Sequence, residues 1–222
     1  QKYYVEALHK EGSGGDHLQV AWELDSDPAN INPAVIGGQY LRTLFDIGNP
    51  LPGTANDILN VTTVGATAGT TAGGDVLYDV GAGLTQDQPI VGDGFELLAD
   101  APITLENGAN DVNTMAADVG GSLSFVDADD LAIGTVGNTA GLTATGDVTL
   151  DVGTDLAQTD PIVAPGLEIL AGSATLEDAG NDVDTIAANV GGAISFVDAD
   201  DLLVGTVGTT SGITTTGGSV SV

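Results

Sequence analysis

Ser124-Phe125-Val126-Asp127-Ala128-Asp129-Asp130-Leu131 returns 71 positions later as Ser195-Phe196-Val197-Asp198-Ala199-Asp200-Asp201-Leu202. The match extends without a gap from Glu106–Gly146 to Glu177–Gly217, with about two positions in three identical. A partial earlier copy is legible at an offset of 72: Val64-Gly65 matches Val136-Gly137, Gly74-Asp75-Val76 matches Gly146-Asp147-Val148, and Pro89-Ile90-Val91 matches Pro161-Ile162-Val163. A fixed long period is the signature of a repeat architecture, in which each unit buries its apolar face only against its neighbours.

Within the period, apolar residues alternate over very short runs: Leu123 and Phe125, Leu131 and Ile133, Val148 and Leu150. Alternation at period 2 is a strand signal, and the Gly and Asx residues between runs are turn signals. About nine such segments fill one period, too short and too many for helices. Three strands to a coil gives three coils of roughly 24 residues, the size of a coil in a parallel β-helix. The sequence therefore predicts an all-β chain: a right-handed parallel β-helix (β-solenoid) of about seven coils, preceded by a β-hairpin segment. Its rod would be ~35 Å long at ~4.8 Å per coil. The competing architecture, a tandem of Ig-like sandwiches, wants longer strands and a bulkier core. Only 4% of the chain is aromatic against 42% hydrophobic.

Two regions follow. Residues 1–47 hold all of the Lys, Arg and His, the single Trp and three of the four Tyr. Residues 48–222 form the solenoid, with a partial copy over 57–94 and copies over 95–165 and 166–222. Tyr3 to His9 reads as a strand, and His17 to Leu24 as its partner across the turn Gly12-Ser13-Gly14-Gly15-Asp16. A lone hairpin is marginal in water, so it needs a sheet to sit on. Residues 26–56 read as loop, with Tyr40 to Phe45 as a segment that covers the first coil. Gln1 is not an initiator Met and no signal peptide is present, so the chain reads as a processed or excerpted piece. Val220-Ser221-Val222 corresponds to the strand around Val148-Thr149-Leu150, so the chain stops in mid-period; an uncapped coil edge invites pairing with another coil.

The net formal charge is −29. Only Lys2, Lys10 and Arg42 are basic, and residues 48–222 carry 25 Asp and Glu with no Lys or Arg. Such a surface excludes nucleic acid and anionic membranes as partners, because nothing neutralises phosphate. It attracts divalent cations and cationic polymers, or simply keeps a repetitive β protein soluble. There is no Cys, hence no disulfide or thiolate metal site, and no apolar run long enough to insert in a membrane.

The best candidate site is the Asp-Ala-Asp-Asp motif: Asp127, Asp129 and Asp130, with Asp198, Asp200 and Asp201. Hard oxygens at alternate positions suit Ca²⁺, though the glycine and distal Glu of an EF-hand loop are missing. The competing reading is a turn whose Asp side chains accept backbone amides. No other cofactor is implied. Asn110-Asp111 and Asn181-Asp182 read either as cation ligands or as corners with Asn in the left-handed conformation. Phe125 and Phe196, with Phe95 and Leu167, read as interior fillers rather than a sugar platform. His9 and His17 read as solvated residues flanking the hairpin turn rather than as a metal site. Asn60-Val61-Thr62 fits the glycosylation triplet.

Two resemblances add to this. Tyr3-Tyr4-Val5-Glu6-Ala7-Leu8-His9-Lys10-Glu11, then Gly14-Gly15-Asp16-His17-Leu18 and Val20-Ala21-Trp22, resemble the C-terminal end of a PA14-type β-sandwich. That family often serves as a carbohydrate-binding module, but the part that would hold its ligand-binding acidic pair is not in this chain. Ala109-Asn110-Asp111-Val112 through Ala116-Ala117, Phe125 to Leu131 and Gly134-Thr135-Val136-Gly137, with their second copies, resemble the repeats of giant bacterial exoproteins of the filamentous-haemagglutinin-like, β-helical adhesin type. The resemblance implies an extracellular protein of the bacterial cell surface, a fibre, stalk or adhesin whose partners are further repeats or copies of itself. The alternative is a carbohydrate-binding or calcium-dependent adhesion module. Catalysis is not expected: polysaccharide-cleaving β-helices that act on acidic sugars need Arg or Lys to bind carboxylates and stabilise developing charge, and residues 48–222 contain neither.

Overall fold

The computed structural model describes residues 21–22, 34–35, 58–64, 67–81 and 83–222. The chain divides into two units, Gln1–Leu44 and Phe45–Val222. In the first, Ala21–Trp22 pairs antiparallel with Ala34–Val35, a partner the sequence placed in a loop. The expected hairpin strand from Tyr3 to His9 and the segment from Tyr40 to Phe45 lie outside the described residues. No helix occurs among the described residues, and the second unit is a β-solenoid of about seven turns.

Each turn contributes its strands to parallel ladders that run along the stack. Leu123 lies against Val148, Val148 against Leu167, and Leu167 against Ile186. Two positions on, Phe125 lies against Leu150, Leu150 against Ile169, and Ile169 against Ala188. The strand Leu123–Asp127 shows why the sequence adopts this form: Leu123, Phe125 and Asp127 point in, Ser124 and Val126 point out. Stacking such strands fills the interior with a column of Leu, Ile, Val, Ala and Phe, nearly all at or close to zero exposure. Each fully buried aliphatic side chain contributes about 1.5–3 kcal/mol relative to leaving it in water. The expected aromatic fillers are there: Phe95 and Phe125 stack at 5.9 Å between ring centroids, and Tyr78 meets Phe95 edge-on at 5.5 Å. Phe196 is likewise interior, and Leu167 occupies the equivalent place in its strand.

The coil is tighter than the sequence suggested. Partners across the ladders are 18 to 20 residues apart, as in Thr114 with Ala132, Val76 with Phe95 and Thr70 with Ile90. The step lengthens to 25 or 26 only where a small hairpin is inserted, as between Leu123 and Val148 or Ile194 and Val220. Three turns from Leu123 to Ile186 take 63 residues, or 21 to a turn, so the expected 24-residue coil was too long.

A second correction follows from the same registers. Three turns from Leu123 end at Ile186, yet the residue 71 positions on from Leu123 is Ile194. Ile194 belongs to another ladder, the one that runs from Leu131 through Leu156 and Ala174. One repeat is therefore three turns plus one strand, not three coils. Successive copies are displaced by about a third of a turn around the axis and by ~16 Å along it. The sequence count fell short because some apolar runs pass a corner without a break. Ile162–Ala171, for instance, pairs first with Leu142–Ala144 and then with Val148–Val152, which are separate strands.

Candidate functional site

Two constructions recur in both copies and carry nearly all of the buried polar groups: a corner and a strap.

The corner is built by Asn110 and Asp127, both buried. The Asn110 carboxamide accepts the Ile90 N–H at 2.9 Å and donates to the carbonyls of Leu105 at 3.3 Å and Val126 at 3.0 Å. It therefore ties together three successive turns. Gln86 completes it: its amide donates to Asn110 Oδ1 and accepts from Asn110 Nδ2. The second copy repeats every part. Asn181 accepts from Ile162 N at 2.8 Å, donates to Leu176 O at 3.3 Å and Val197 O at 2.9 Å, and pairs with Gln158. The sequence placed these asparagines at corners for their backbone conformation. Their side chains have the larger part, as amide plugs where backbone groups of three turns would otherwise be unpaired. The glutamine partners were not singled out in the sequence, although Gln86 and Gln158 recur at the same repeat offset.

Asp127 faces the same corner from the next turn. Its Oδ2 accepts the Val112 N–H at 3.1 Å and its Oδ1 the Asp129 N–H at 3.2 Å. Burial pushes its carboxyl up to about 6; the nearby charges of Asp129 and Asp111 add to the rise, and the two amides only partly offset it. Asp130 is exposed and points the other way along the stack. It accepts the Thr154 hydroxyl and the Asp155 N–H, and these hydrogen bonds hold it below the usual carboxylate range. In the second copy Asp198 accepts Val183 N at 3.1 Å and Asp200 N at 3.3 Å, while Asp200 and Asp201 are exposed.

The six sequence-predicted Asp residues thus fall into two trios on different corners, and within each trio the first carboxylate turns to backbone amides. Among the described residues no group of three or more His, Asp or Glu is arranged to hold a metal ion. His9 and His17 lie outside the described residues, and Asn60 lies in the strand Ile58–Val61.

The strap is the inserted hairpin. Thr135–Val136 pairs antiparallel with Thr139–Ala140, and Thr206–Val207 with Thr210–Ser211. Each hairpin folds back over the outside of the two preceding turns. The first covers Ala116, which is outward-facing yet has no exposed surface, and ends on Glu96. Glu96 Oε1 accepts the Asn138 N–H at 3.1 Å and the Thr139 hydroxyl at 2.7 Å. The second strap covers Ala187 and ends on Glu168, which accepts Thr209 N at 3.0 Å, the Thr209 hydroxyl at 3.2 Å and the Thr149 hydroxyl at 3.0 Å. Burial alone would raise Glu168, but hydrogen bonds from Thr210, Thr149 and Thr209 outweigh it and hold the carboxyl below its ordinary value.

The strap demands glycine at its tip. Gly137 and Gly208 have φ of 61° and 57°, and a Cβ on either would fall on the carboxylate oxygen of its glutamate. Neither glutamate was recognised in the sequence. The available signal was a Glu inside an apolar run at the same place in both copies, Phe95-Glu96-Leu97 and Leu167-Glu168-Ile169.

One open groove runs along Ala132 and Ala157 beside Asp130 and Asp155, and another lies among Asp79, Asp100 and Asp118. Comparison with known proteins returns no match: no family model, no curated protein and no solved structure.

Proposed function

We propose that this chain is a non-catalytic structural segment, a spacer or stalk, of an extracellular fibre or surface adhesin on a bacterial cell, with further repeats of its own kind as its principal partners. The observation that carries the reading is the third-of-a-turn displacement between copies. A protein that used its repeat as a binding array would gain by stacking equivalent motifs on one face, at one pitch. A repeat of three turns and one strand does the opposite. It turns each motif to a new face, so Asp127 and Asp198 occupy different corners. What every copy retains on whichever face it occupies is the internal construction: amide plug, interior Phe and strap. That pattern serves regular extension and an even outer surface.

Charge supports the same reading. Residues 48–222 present carboxylates without a single Lys or Arg, so neighbouring rods repel side by side while backbone ladders favour end-to-end addition. Three repeats make ten turns and restore the starting face, which gives a superperiod of ~48 Å.

Electron microscopy of the native surface structure tests this directly. The expected image is a narrow filament of constant width with axial features near that superperiod. Compact particles from the full-length protein would overturn the reading, as would filaments whose repeats all face one side.

A further inference from the structure

Asn107-Gly108 lies at the edge of the corner, and its counterpart in the second copy is Asp178-Ala179. The two positions are built alike. Asn107 opens a turn closed by the Asn110 N–H to Asn107 O bond at 3.0 Å, and its side-chain Oδ1 accepts the Ala109 N–H at 3.0 Å. Asp178 opens the same turn, with Asn181 N to Asp178 O at 3.2 Å and Gly180 N to Asp178 Oδ1 at 2.8 Å. One copy therefore holds a carboxamide where the other holds the acid that hydrolysis of that carboxamide yields.

We infer that Asn107 is a site of spontaneous modification, converting in the folded protein through a cyclic imide to aspartate and isoaspartate. The Asx turn, in which Asn107 Oδ1 accepts the Ala109 N–H at 3.0 Å, folds the Asn107 carboxamide back over its own backbone beside Gly108. Gly108 is exposed and would meet nothing within 4 Å if it carried a Cβ, so no packing opposes the approach of its nitrogen to Asn107 Cγ. The absent side chain also leaves that nitrogen unshielded. Solvent base removes the Gly108 N–H proton, and the nitrogen attacks Asn107 Cγ. The Cγ–Nδ2 bond breaks, and Nδ2 leaves as ammonia with a proton from water. Water then opens the ring: attack at Cγ gives aspartate, and attack at the main-chain carbonyl gives isoaspartate. The net change is one water consumed and one ammonia released, with no oxidant or enzyme required.

Two contacts define what the product alters. Asn107 Nδ2 donates to Asp87 O at 3.1 Å, a bond an acid cannot make, and Asn107 N donates to Gln86 Oε1 at 3.1 Å. Gln86 is the partner of the Asn110 plug. The aspartate product reproduces the second copy's corner and leaves the fold intact. The isoaspartate product lengthens the main chain by one atom beside Gln86 and loosens the plug.

The test is incubation of the intact folded protein at mildly alkaline pH, followed by cleavage before Asp and mass spectrometry. Asp100 to Asn110 is released as one peptide, with the buried Asn110 as an internal comparison, where Asn107 is unchanged or has become isoaspartate; conversion to aspartate adds a cleavage site and divides the peptide before position 107. The expected result is the mass gain of an amide-to-acid exchange at Asn107 alone, together with isoaspartate in an enzymatic methyl-transfer assay. Gly108→Ala, which copies Ala179, should fold normally and slow the conversion by roughly tenfold or more, since it restores the shielding that glycine lacks. Retention of the Asn107 amide in the folded protein, over a period in which the urea-unfolded chain converts, would overturn the inference. Equal conversion at Asn110 would overturn it as well.

Discussion

The corner and the strap both bury a carboxylate in an acidic molecule, and they treat it in opposite ways. At the corner, Asp127 has two backbone amides for partners and two other carboxylates nearby, and its proton affinity rises. Beneath the strap, Glu168 is ringed by threonine hydroxyls and an amide, and its proton affinity falls. Burial penalises the charge in both places. The number and kind of donors decides the outcome. The corner can keep a disfavoured charge because the neighbouring Asn plug, a neutral group with all its valences filled, carries the connection between turns. The strap has no such plug, so its carboxylate must hold the connection itself.

Removing the plug should therefore cost most. Asn110→Ala leaves the Ile90 N–H and the carbonyls of Leu105 and Val126 without their partner, at ~1–3 kcal/mol for each buried group left unpaired. Partial relaxation brings the expected loss to about 3–5 kcal/mol, read as a fall in the urea midpoint at unchanged slope. A loss below 1 kcal/mol would mean that the ladders alone join the turns and the plug is incidental.

Breaking the strap comes next. Gly208→Ala imposes a left-handed conformation on a residue with a Cβ and drives that Cβ into Glu168, so a loss of about 2 kcal/mol or more is expected. Gly73→Ala is the matched control, since a Cβ there meets nothing within 4 Å; it should leave the midpoint within about 0.5 kcal/mol of the parent. Equal effects of the two substitutions would show that the strap tip is not held.

The sequence revealed the solenoid because alternation and repetition are properties of single residues and short runs. Val, Leu and Phe at every second position state which side of a strand faces in, whatever the strand pairs with. The interior Phe positions and the corner placement of Asn110 and Asp127 followed from the same local logic. What it did not reveal depends on residues far apart. Glu96 meets Asn138 more than forty positions later, and no local pattern signals that meeting. The Asn110–Gln86 pair spans a turn, so it emerges only once the coil length is known. The third-of-a-turn displacement was hidden for a related reason: a strand such as Asp111–Val119, paired along its length with Ile90–Ala99, shows no Gly at the bend.

The smallest effects sharpen the comparison through pH. Glu168 is held below its ordinary value in the fold, so its stabilisation is fully present at neutral pH and is lost as pH falls through the folded value. Glu168→Gln should therefore cost about 1 kcal/mol at pH 7, as the charge-assisted hydrogen bonds weaken, and the difference from the parent should shrink as the pH falls below the ordinary range of a glutamate. Asp127 has the reverse sign. Its folded value of about 6 lies above that of an unfolded aspartate, so the folded state binds the proton more tightly and gains stability as pH falls from 7 through 6. Acidification also relieves the net charge of −29, which stabilises any compact form of this chain. The informative quantity is thus the difference between parent and Asp127→Asn, in which the general relief cancels. The parent should begin to gain on the variant near pH 6, and the gain should grow steadily down to about pH 4, the ordinary value of an unfolded aspartate, below which it levels off. Parallel pH profiles for parent and variant would place the Asp127 carboxylate in water. The corner and the strap would then differ in shape alone, not in how each accommodates a buried charge.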